Sequence, residues 1–368
     1  MKVLVVGDWL ADIYEEAFYM GFQEHGCETT KFSWIQYFKY YQYPDKFDVN
    51  PSLIKSFYYK VQNRFTIGPV ISQINRDLVA SVRKNQYDLV FIYRGTHILP
   101  STLQRIRESG SIIFGYNNDD PFSDAYPKYF WRHFRNGLKL YDCVFSYREK
   151  NIRDYESVGI KDTEILRSYF LKDKNIHIPR ANLDREFLSD VVFVGHYESD
   201  GRDRTVLSLL SGGVGLKIYG TDWQRSPLYE EIIRYTGVIQ PAYKHYNEVL
   251  NGAKVALVFL SKKNNDTYTR RVFEIPAVKT MMLSEYTDDM ATLYEDKEEI
   301  FFFHDDEQCL LILKELLADP IKIQSVADQA YSRLISDDHE VYGRVSQVLA
   351  KYESLSKGCK AIKTVKKA

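Results

Sequence analysis

Two short apolar runs that end in glycine decide the fold: VLVVG at residues 3–7 and VVFVG at residues 191–195. Branched apolar residues in runs of this length are typical of buried strands. A helical pattern follows each run, over residues 11–25 and 202–210 respectively. Strand, turn and helix in this order open an α/β domain. The chain of 368 residues is therefore predicted to contain two such domains in tandem.

Further apolar runs alternate with helical stretches in both halves, which predicts parallel sheets covered by helices on both faces. In the first half, residues 51–85 indicate one or two long helices. The strands predicted there are 89–93, 112–116 and 144–147. In the second half the predicted strands are 216–220, 255–260, 281–285 and 299–303, and the closing helices are 306–317, 321–334 and 339–352.

The alternation of strands and helices lapses over residues 172–190, which are polar and include Pro179. We interpret this stretch as a linker. The predicted organisation is a first domain at 1–178, a second at 179–340, and a terminal helix with a basic tail at 341–368.

Composition excludes some classes of function. The formal net charge is −1, which argues against bulk electrostatic binding of nucleic acid. The chain has 29 tyrosines, whose flat faces and polar tips suit sugar contacts as well as core packing.

The sequence predicts a cytoplasmic protein. The four cysteines form no C-x-x-C pair and are expected to be reduced thiols. The first residues lack the pattern of a secretory signal, and no apolar run is long enough to span a bilayer. The basic stretch after Ser356 fits a frayed end or, alternatively, peripheral contact with anionic lipids on the inner face of the membrane.

Several motifs are missing. Neither opening strand is followed by the dinucleotide fingerprint, and no P-loop occurs. The D-x-D cluster that holds a metal on a diphosphate is absent, as is H-x-x-x-H. We therefore expect neither a metal nor a resident cofactor.

The stretch DTYTRRVFE, which begins at Asp266, is the most informative about function. Asp266 or Thr267 is predicted to cap a helix, whose N-terminus would attract phosphate together with Arg270 and Arg271. Glu274 lies about two turns on, where its carboxylate can accept hydrogen bonds from ribose hydroxyls. The alternative is an amphipathic surface helix with these charges in water.

The segment R-x-F-E-I-P-A within this stretch resembles the C-terminal signature of GT-B glycosyltransferases of the group 1 type, and most resembles the spore-maturation (CgeB-like) branch. The resemblance implies two Rossmann-like domains that face each other across a cleft, with a C-terminal helix that packs back across the hinge. Retaining members carry an E-x7-E pair, and Asp266 to Glu274 reproduces that spacing with aspartate first. By this resemblance Glu274 holds the ribose and Asp266 lies near the donor phosphate or sugar.

A second segment, VVFVGHYESDGRDR, resembles the opening strand and loop of the family's donor domain. By this resemblance Gly195 lets the backbone approach a diphosphate, and Arg204 reaches it. His196 and Lys262 follow predicted strands and are further donor-binding candidates. The alternative for His196 is a structural role, and the alternative for Lys262 is a loop position in contact with solvent.

The first domain supplies candidates at the ligand-binding edge of its sheet. Asp119 and Asp120 follow the strand 112–116, where a carboxylate can act as a general base. The alternative is a turn in which aspartate caps the next helix. His97 follows the strand 89–93 and is a candidate for contact with the donor sugar, the alternative being a structural histidine.

The sequence thus predicts a hexosyltransferase that moves a sugar from a nucleotide-diphosphate sugar to a glycan or lipid-linked acceptor, in cell-surface polysaccharide synthesis. Retention of configuration is expected, and inversion with Asp119 or Asp120 as base is the competing mechanism. An epimerase or hydrolase on the same fold, and a non-catalytic coat or sugar-binding protein, stay open, as does the oligomeric state. The acceptor is expected on the first domain, where these tyrosines can stack on sugars: Tyr40, Tyr41, Tyr43, Tyr58 and Tyr59.

Overall fold

The computed structural model describes residues 1–38 and 52–365, so Tyr40, Tyr41 and Tyr43 lie outside the described residues. The chain divides into two compact units. The first unit contains Met1–Arg167 and the segment from Val341 onward, and the second contains Ser168–Glu340.

The first unit is built on a sheet of six parallel strands. The strands are β1 (Lys2–Gly7), β2 (Glu28–Ser33), β3 (Leu89–Tyr93), β4 (Ile112–Asn117), β5 (Cys143–Ser146) and β6 (Thr163–Ile165). Their order is β2-β1-β3-β4-β5-β6, so β1 pairs with β2 on one side and with β3 on the other. Residues 3–6 of β1 are fully buried, as the apolar run predicts.

Helices connect these strands. A π-helical turn (Asp12–Glu16) leads into α1 (Ala17–Glu24). The others are α2 (Leu53–Phe65), α3 (Pro69–Asn85), α4 (Pro100–Glu108), α5 (Arg132–Gly137) and α6 (Glu149–Ser157). Ser52 caps α2, since its hydroxyl accepts a hydrogen bond from the Lys55 N–H at 3.4 Å.

The second unit is built on five parallel strands in the order β11-β10-β9-β7-β8. They are β7 (Ser189–Val194), β8 (Leu216–Tyr219), β9 (Ala253–Val258), β10 (Met281–Glu285) and β11 (Phe301–Phe303). The helices are α7 (Arg202–Ser211), α8 (Tyr229–Thr236), α9 (Tyr246–Asn251), α10 (Arg271–Ala277), α11 (Asp288–Leu293), α12 (Asp306–Ala318) and α13 (Pro320–Ser336).

The last helix, α14 (Val341–Val365), belongs to the first unit, where it packs on α1. The His25 ring stacks on Tyr342 with centroids 3.7 Å apart, and its Nε2 lies 2.8 Å from the Ser346 hydroxyl. The predicted basic tail is helical as far as Val365. No helix in the described part of the chain has the length and apolar character of a membrane span.

The predicted α/β architecture with two parallel sheets is confirmed. The structure divides the chain between Arg167 and Ser168, whereas the sequence placed the boundary after residue 178. The intervening residues belong to the second unit, where the Ile178 N–H donates to the Asn251 side-chain oxygen at 2.7 Å. Their irregular backbone is thus bonded to α9 and does not form a free linker.

Each sheet has a point at which strand order reverses. In the first unit it lies between β1 and β3, and in the second between β7 and β9. Ligands of open α/β sheets bind beyond the carboxyl ends of the strands at such points. The loops after these four strands are therefore where functional side chains are expected.

Candidate functional site

In the second unit, the loops after β7 and β9 meet through Glu198 and Ser261. The Ser261 hydroxyl donates to Glu198 Oε2 at 2.8 Å. Glu198 Oε1 lies 2.9 Å from His196 Nε2 and 3.7 Å from the Arg202 guanidinium. We call these four residues the donor-edge cluster.

The Glu198 carboxylate is held ionised. Burial alone would raise its pKa, but the hydrogen bonds from His196 and Ser261 and the charge of Arg202 outweigh burial and lower the pKa to about 2. The cluster therefore places a permanent negative charge, surrounded by hydrogen-bond donors, at the point where the strand order of the sheet reverses.

Arg202 shapes the loop that carries Glu198. Its guanidinium lies 2.6 Å from Asp200 and donates to the His196 carbonyl at 2.8 Å. The side chain is buried, whereas the predicted Arg204, also in the first turn of α7, is exposed. Arg202 therefore stabilises the loop through these contacts, whereas the side chain of Arg204 is exposed to solvent.

Packing accounts for the glycine at position 195. A Cβ there would lie 2.7 Å from the Phe193 ring. The Gly195 carbonyl accepts from Trp223 Nε1 at 3.0 Å, and a Cβ on Gly220 would lie 2.0 Å from the same oxygen. Gly195 is therefore needed for close packing at this sheet edge, and its approach to a diphosphate stays a prediction.

Lys262 follows β9 and is more than half exposed. Its ammonium lies 3.4 Å from Glu285, which also accepts from the Leu260 N–H at 2.6 Å. The Lys262 ammonium therefore forms an exposed ion pair next to the donor-edge cluster and stays accessible to solvent.

The predicted capping of the phosphate-binding helix is wrong. Helix α10 begins at Arg271, and neither Asp266 nor Thr267 caps it. The Thr267 hydroxyl instead donates to Asp289. The N–H of half-buried Asp266 donates to the Ser261 carbonyl at 2.9 Å, which keeps its backbone beside the donor-edge cluster.

Glu274 is buried, not on a solvated helix face, so the alternative of a surface helix is also wrong. Its Oε1 pairs with Arg270 at 2.6 Å, and its Oε2 accepts from the Tyr246 hydroxyl at 2.7 Å. Burial and the Glu274 charge raise the pKa of Tyr246 far above its usual value. Arg271 is half-buried, and its Nε makes no hydrogen bond within the described part of the chain.

In the first unit, the loops after β1, β3 and β4 meet through Arg94. Its guanidinium contacts Asp8 at 3.3 Å and Asp119 at 2.5 Å. The Arg94 backbone has φ +68°, a left-handed conformation that costs a non-glycine residue about 1–2 kcal/mol. Asp119, which the sequence predicted as a site residue, therefore acts together with Asp8 to hold the strained Arg94 at the point where the strand order reverses.

Asp120 is fully buried, so its carboxylate is not exposed to an acceptor in this structure, and its role as a base stays a prediction. Its Oδ1 accepts from the Phe122 N–H at 2.8 Å and from the Asn151 amide at 2.7 Å, and Lys150 pairs with Oδ2 at 3.1 Å. This is the turn chemistry that the sequence offered as the alternative.

His97 is a buried neutral histidine. Its Nε2 lies 2.7 Å from Asn63 Oδ1, its Nδ1 lies 2.9 Å from the Thr96 hydroxyl, and its ring stacks on Trp34. Burial, aided by the charges of His133 and Arg94, lowers the pKa of His97 to about 3. His97 therefore fixes the loop after β3 and is uncharged near neutral pH.

Sequence reasoning missed Glu198, Arg202, Asp8 and Glu15. Asp8 directly follows the glycine that ends β1, and Glu198 follows the corresponding Gly195 by three residues. The position of polar residues after a strand was therefore a usable signal for both. Glu15 had no such signal, because only the folded π-helical turn brings it against Asp8, whose N–H donates to Glu15 at 2.9 Å.

Comparison with known proteins places these features in a family context. Residues 202–350 match the family model described as "Glycosyl transferase-like". The matched region covers less than half of the chain. It contains most of the strands and helices of the second unit, and both Arg202 and Glu274 lie within it. No curated protein sequence matches the chain.

Solved structures share the fold over almost the whole chain. Sucrose-phosphate synthase from Thermosynechococcus elongatus matches with TM-score 0.68 and 14% identity, over 97% of this chain and 100% of that one. Anabaena HepE in complex with UDP gives TM-score 0.64, 12% identity and coverage of 97% and 100%. An epimerase-like protein from Listeria monocytogenes, described as a UDP-N-acetylglucosamine 2-epimerase, gives TM-score 0.58, 11% identity and 97% coverage of both chains.

The GT-B fold expected from the sequence is thus confirmed, and the match of residues 202–350 to a glycosyl transferase-like family model agrees with the expected activity. The spore-maturation branch stays a prediction. The matched region begins at Arg202, so the loop that carries Glu198 directly precedes the matched residues.

Proposed function

We propose that this protein is a glycosyltransferase that moves a sugar from a UDP-sugar to a glycan or lipid-linked acceptor, with retention of configuration and without a metal, in the synthesis of a cell-surface polysaccharide. The choice of UDP is supported by the HepE structures, which contain UDP and UDP-glucose. The donor-edge cluster is the observation that carries the proposal: Glu198 and Ser261 join β7 and β9 at 2.8 Å where the strand order reverses.

The ribose of the donor is proposed to bind Glu274. In this structure Tyr246 and Arg270 occupy its two oxygens. The Tyr246 contact can stay, while the ribose hydroxyls replace Arg270 on Oε1. This exchange releases the Arg270 guanidinium for the donor phosphates, so nucleotide binding itself would position a cation for the leaving group.

Stabilisation of the leaving diphosphate is proposed to come mainly from arginines. Arg271 has a buried Nε that makes no hydrogen bond within the described residues, and the exposed Arg204 adds charge at the start of α7. Cationic groups aimed at developing negative charge lower the barrier most when they are fixed beforehand. Lys262 and His196 lie at the same edge and are proposed as additional phosphate contacts.

The spacing of Asp266 and Glu274 supports the retaining mechanism, and Asp266 is proposed to lie beside the transferred sugar. Inversion would need a base on the acceptor hydroxyl. Asp120 is buried and Asp119 is paired with Arg94, so neither residue supports that alternative in the present geometry.

The donor assignment can be tested by titration calorimetry with UDP and with uridine. Arg271→Gln is expected to weaken UDP binding at least tenfold and to leave uridine binding almost unchanged, because a lost hydrogen bond to a charged group amounts to about 1.5–3 kcal/mol. Glu274→Gln is expected to weaken both. EDTA should change neither affinity.

Glu231→Gln, on the exposed face of α8, is the matched control for the loss of a carboxylate. Thermal melts show whether Glu274→Gln remains folded, and the half-buried Arg271 provides an independent variant if it does not. Unchanged UDP affinity in a folded Arg271→Gln protein would rule out the proposed diphosphate contact.

A further inference from the structure

A cavity of about 430 Å³ lies in the second unit, at the amino ends of β9 and β10. Its volume falls within the range of about 300–1,000 Å³ that is typical of small-molecule sites. Ala253 and Lys254 line it from the first residues of β9, whereas the donor-edge cluster lies beyond the carboxyl end of that strand. The strand has six residues, so its two ends lie about 20 Å apart. The cavity is therefore separate from the proposed donor site.

Hydrogen bonds fix one wall of this cavity. Buried Asn251, the last residue of α9, accepts from the Ile178 N–H at 2.7 Å and donates to the Ile176 carbonyl at 2.9 Å. His177, between these two residues, places its Nδ1 2.9 Å from the carbonyl of Val278, which follows α10. These contacts hold the segment against α9 and α10, so the cavity is formed before any ligand arrives.

Arg180 supplies the cavity with a cation that has no ion-pair partner within the described residues. Its Nη1 donates to the carbonyls of Ser189 and Gly252. The side chain is half-buried, and burial lowers the pKa of Arg180 below its usual value, although the more distant Asp190 opposes this effect. A partly desolvated guanidinium with donors to spare favours an anion, and its planar fork matches the oxygens of a phosphate.

Lys279 adds a second cation from the turn between α10 and β10. Its backbone has φ +57°, a left-handed conformation that favours glycine. Strained residues of this kind concentrate at functional sites. The Lys279 ammonium lies 3.7 Å from Asp328, whose side chain is half exposed, so this ion pair is weak and leaves the ammonium available to a ligand.

The charge of the cavity is positive, since no carboxylate is among the described residues that line it. Lys254 is neutralised by Asp190 at 2.7 Å. Arg180 and Lys279 are not neutralised to the same extent, and two such cations in one cavity favour an anionic ligand.

The remaining lining sets the size and kind of the ligand. Apolar side chains such as Ile178 and Ile323 leave room for an organic part beside the anion. The exposed His177 and the amide of Gln324 offer hydrogen bonds to hydroxyl groups. No Phe, Tyr or Trp is among the described lining residues, so the cavity lacks the large aromatic rings on which nucleobases stack. A phosphorylated sugar fits this lining better than a nucleotide.

We propose that this cavity is a second ligand site, which binds a sugar phosphate with Arg180 and Lys279 on the phosphate and with His177 and Gln324 on hydroxyl groups. No residue of this site takes part in the proposed binding of the donor, so the two sites can be tested separately.

Isothermal titration calorimetry with glucose 6-phosphate and glucose 1-phosphate tests the proposal, with glucose, inorganic phosphate and AMP as comparisons. At least one of the two sugar phosphates is expected to bind tenfold or more tightly than each comparison. Glucose lacks the anion, inorganic phosphate lacks the organic part, and AMP carries a base that the cavity does not suit.

Two variants locate the binding. Arg180→Gln and Lys279→Gly should each weaken binding of the sugar phosphate at least fivefold. Glycine accommodates the left-handed backbone at position 279, so Lys279→Gly is expected to remain folded even if Arg180→Gln, which loses bonds to two carbonyls, does not. Thermal melts check both. Arg185→Gln, exposed and outside the cavity, is the matched control and should bind normally, as should Arg271→Gln, which changes the proposed donor site.

Three results would overturn the proposal: inorganic phosphate or AMP binding as tightly as both sugar phosphates, no binding of either sugar phosphate, or unchanged affinity in folded Lys279→Gly. UDP binding measured on the same samples keeps the two proposals apart. Sugar phosphate binding without UDP binding supports this cavity and contradicts the donor assignment, whereas UDP binding without sugar phosphate binding does the reverse.

Discussion

Glu15 shows how a single buried carboxyl group can set the pH response of the first unit. It is 1% exposed, and its Oε2 has no hydrogen-bond partner among the described residues. Burial, followed by the negative charge of Asp8, raises its pKa from 4.5 to about 7, although Arg94 and backbone N–H groups oppose the rise. Its neighbour Gly7 is constrained by the same carboxyl group, since a Cβ there would lie 2.1 Å from Glu15 Oε1.

Because the pKa of Glu15 is higher in the folded state, the folded protein binds more protons than the unfolded chain between pH 4.5 and about 7. Stability is therefore expected to fall as the pH rises through this window, by as much as about 3 kcal/mol. Glu15→Gln should raise the melting temperature at pH 8 and change it little at pH 4.5. Melting curves at both values check this, with the exposed Glu156→Gln as control. An equal effect of Glu15→Gln at both pH values would contradict the assignment.

At the residue scale, the sequence located candidate positions better than it assigned their roles. Asp119 and Asp120 are adjacent in one turn, so no periodicity distinguishes them. The structure pairs Asp119 with Arg94 and buries Asp120 against Asn151. Glu274 was singled out from the sequence, but its pairing with Tyr246 depends on a contact between α9 and α10 that sequence spacing does not contain.

At the element scale, the central strands of both sheets and the edge strands of the second sheet were predictable, whereas the edge strands of the first sheet were not. β3 and β10 occur at the predicted residues because buried parallel strands are continuously apolar. β2 and β6 were missed, and they form the two edges of the first sheet. An edge strand is partly solvated, and the sequence of β2, ETTKFS, is accordingly polar. The hydrophobic signal is lost at the edges of the first sheet for this reason.

The contact between α1 and α14 depends on a glycine. A Cβ on Gly21 would lie 2.7 Å from Val345 Cγ2. Alanine favours a helix over glycine by about 1 kcal/mol, but overpacking typically costs about 1–3 kcal/mol. Gly21→Ala is therefore expected to destabilise the protein.

A double-mutant cycle with Val345→Ala checks this prediction by chemical denaturation, since Val345→Ala removes the clashing methyl groups. The cost of Gly21→Ala should shrink or reverse in the Val345→Ala background. An equal cost in both backgrounds would show that the close approach of the two helices is not the cause.

At the scale of the whole molecule, each unit carries a polar cluster where its own sheet reverses strand order. The second unit has the donor-edge cluster, and the first has Arg94 with its two carboxylates. The tandem was predictable because VLVVG and VVFVG recur as opening strands. The site contacts were less predictable, because they join loops that lie far apart in the sequence, such as Glu198 with Ser261.

The central claim is that the protein transfers a sugar from a UDP-sugar to an acceptor. The most direct test is the rate of UDP release from UDP-glucose and UDP-N-acetylglucosamine, with EDTA present, measured alone and with hexose phosphates, uronic acids or a polyprenyl phosphate. We expect at least one acceptor to raise the rate tenfold or more and to yield a glycoside with the donor's anomeric configuration. Release or isomerisation that does not depend on an acceptor, or no release with any of them, would contradict this account.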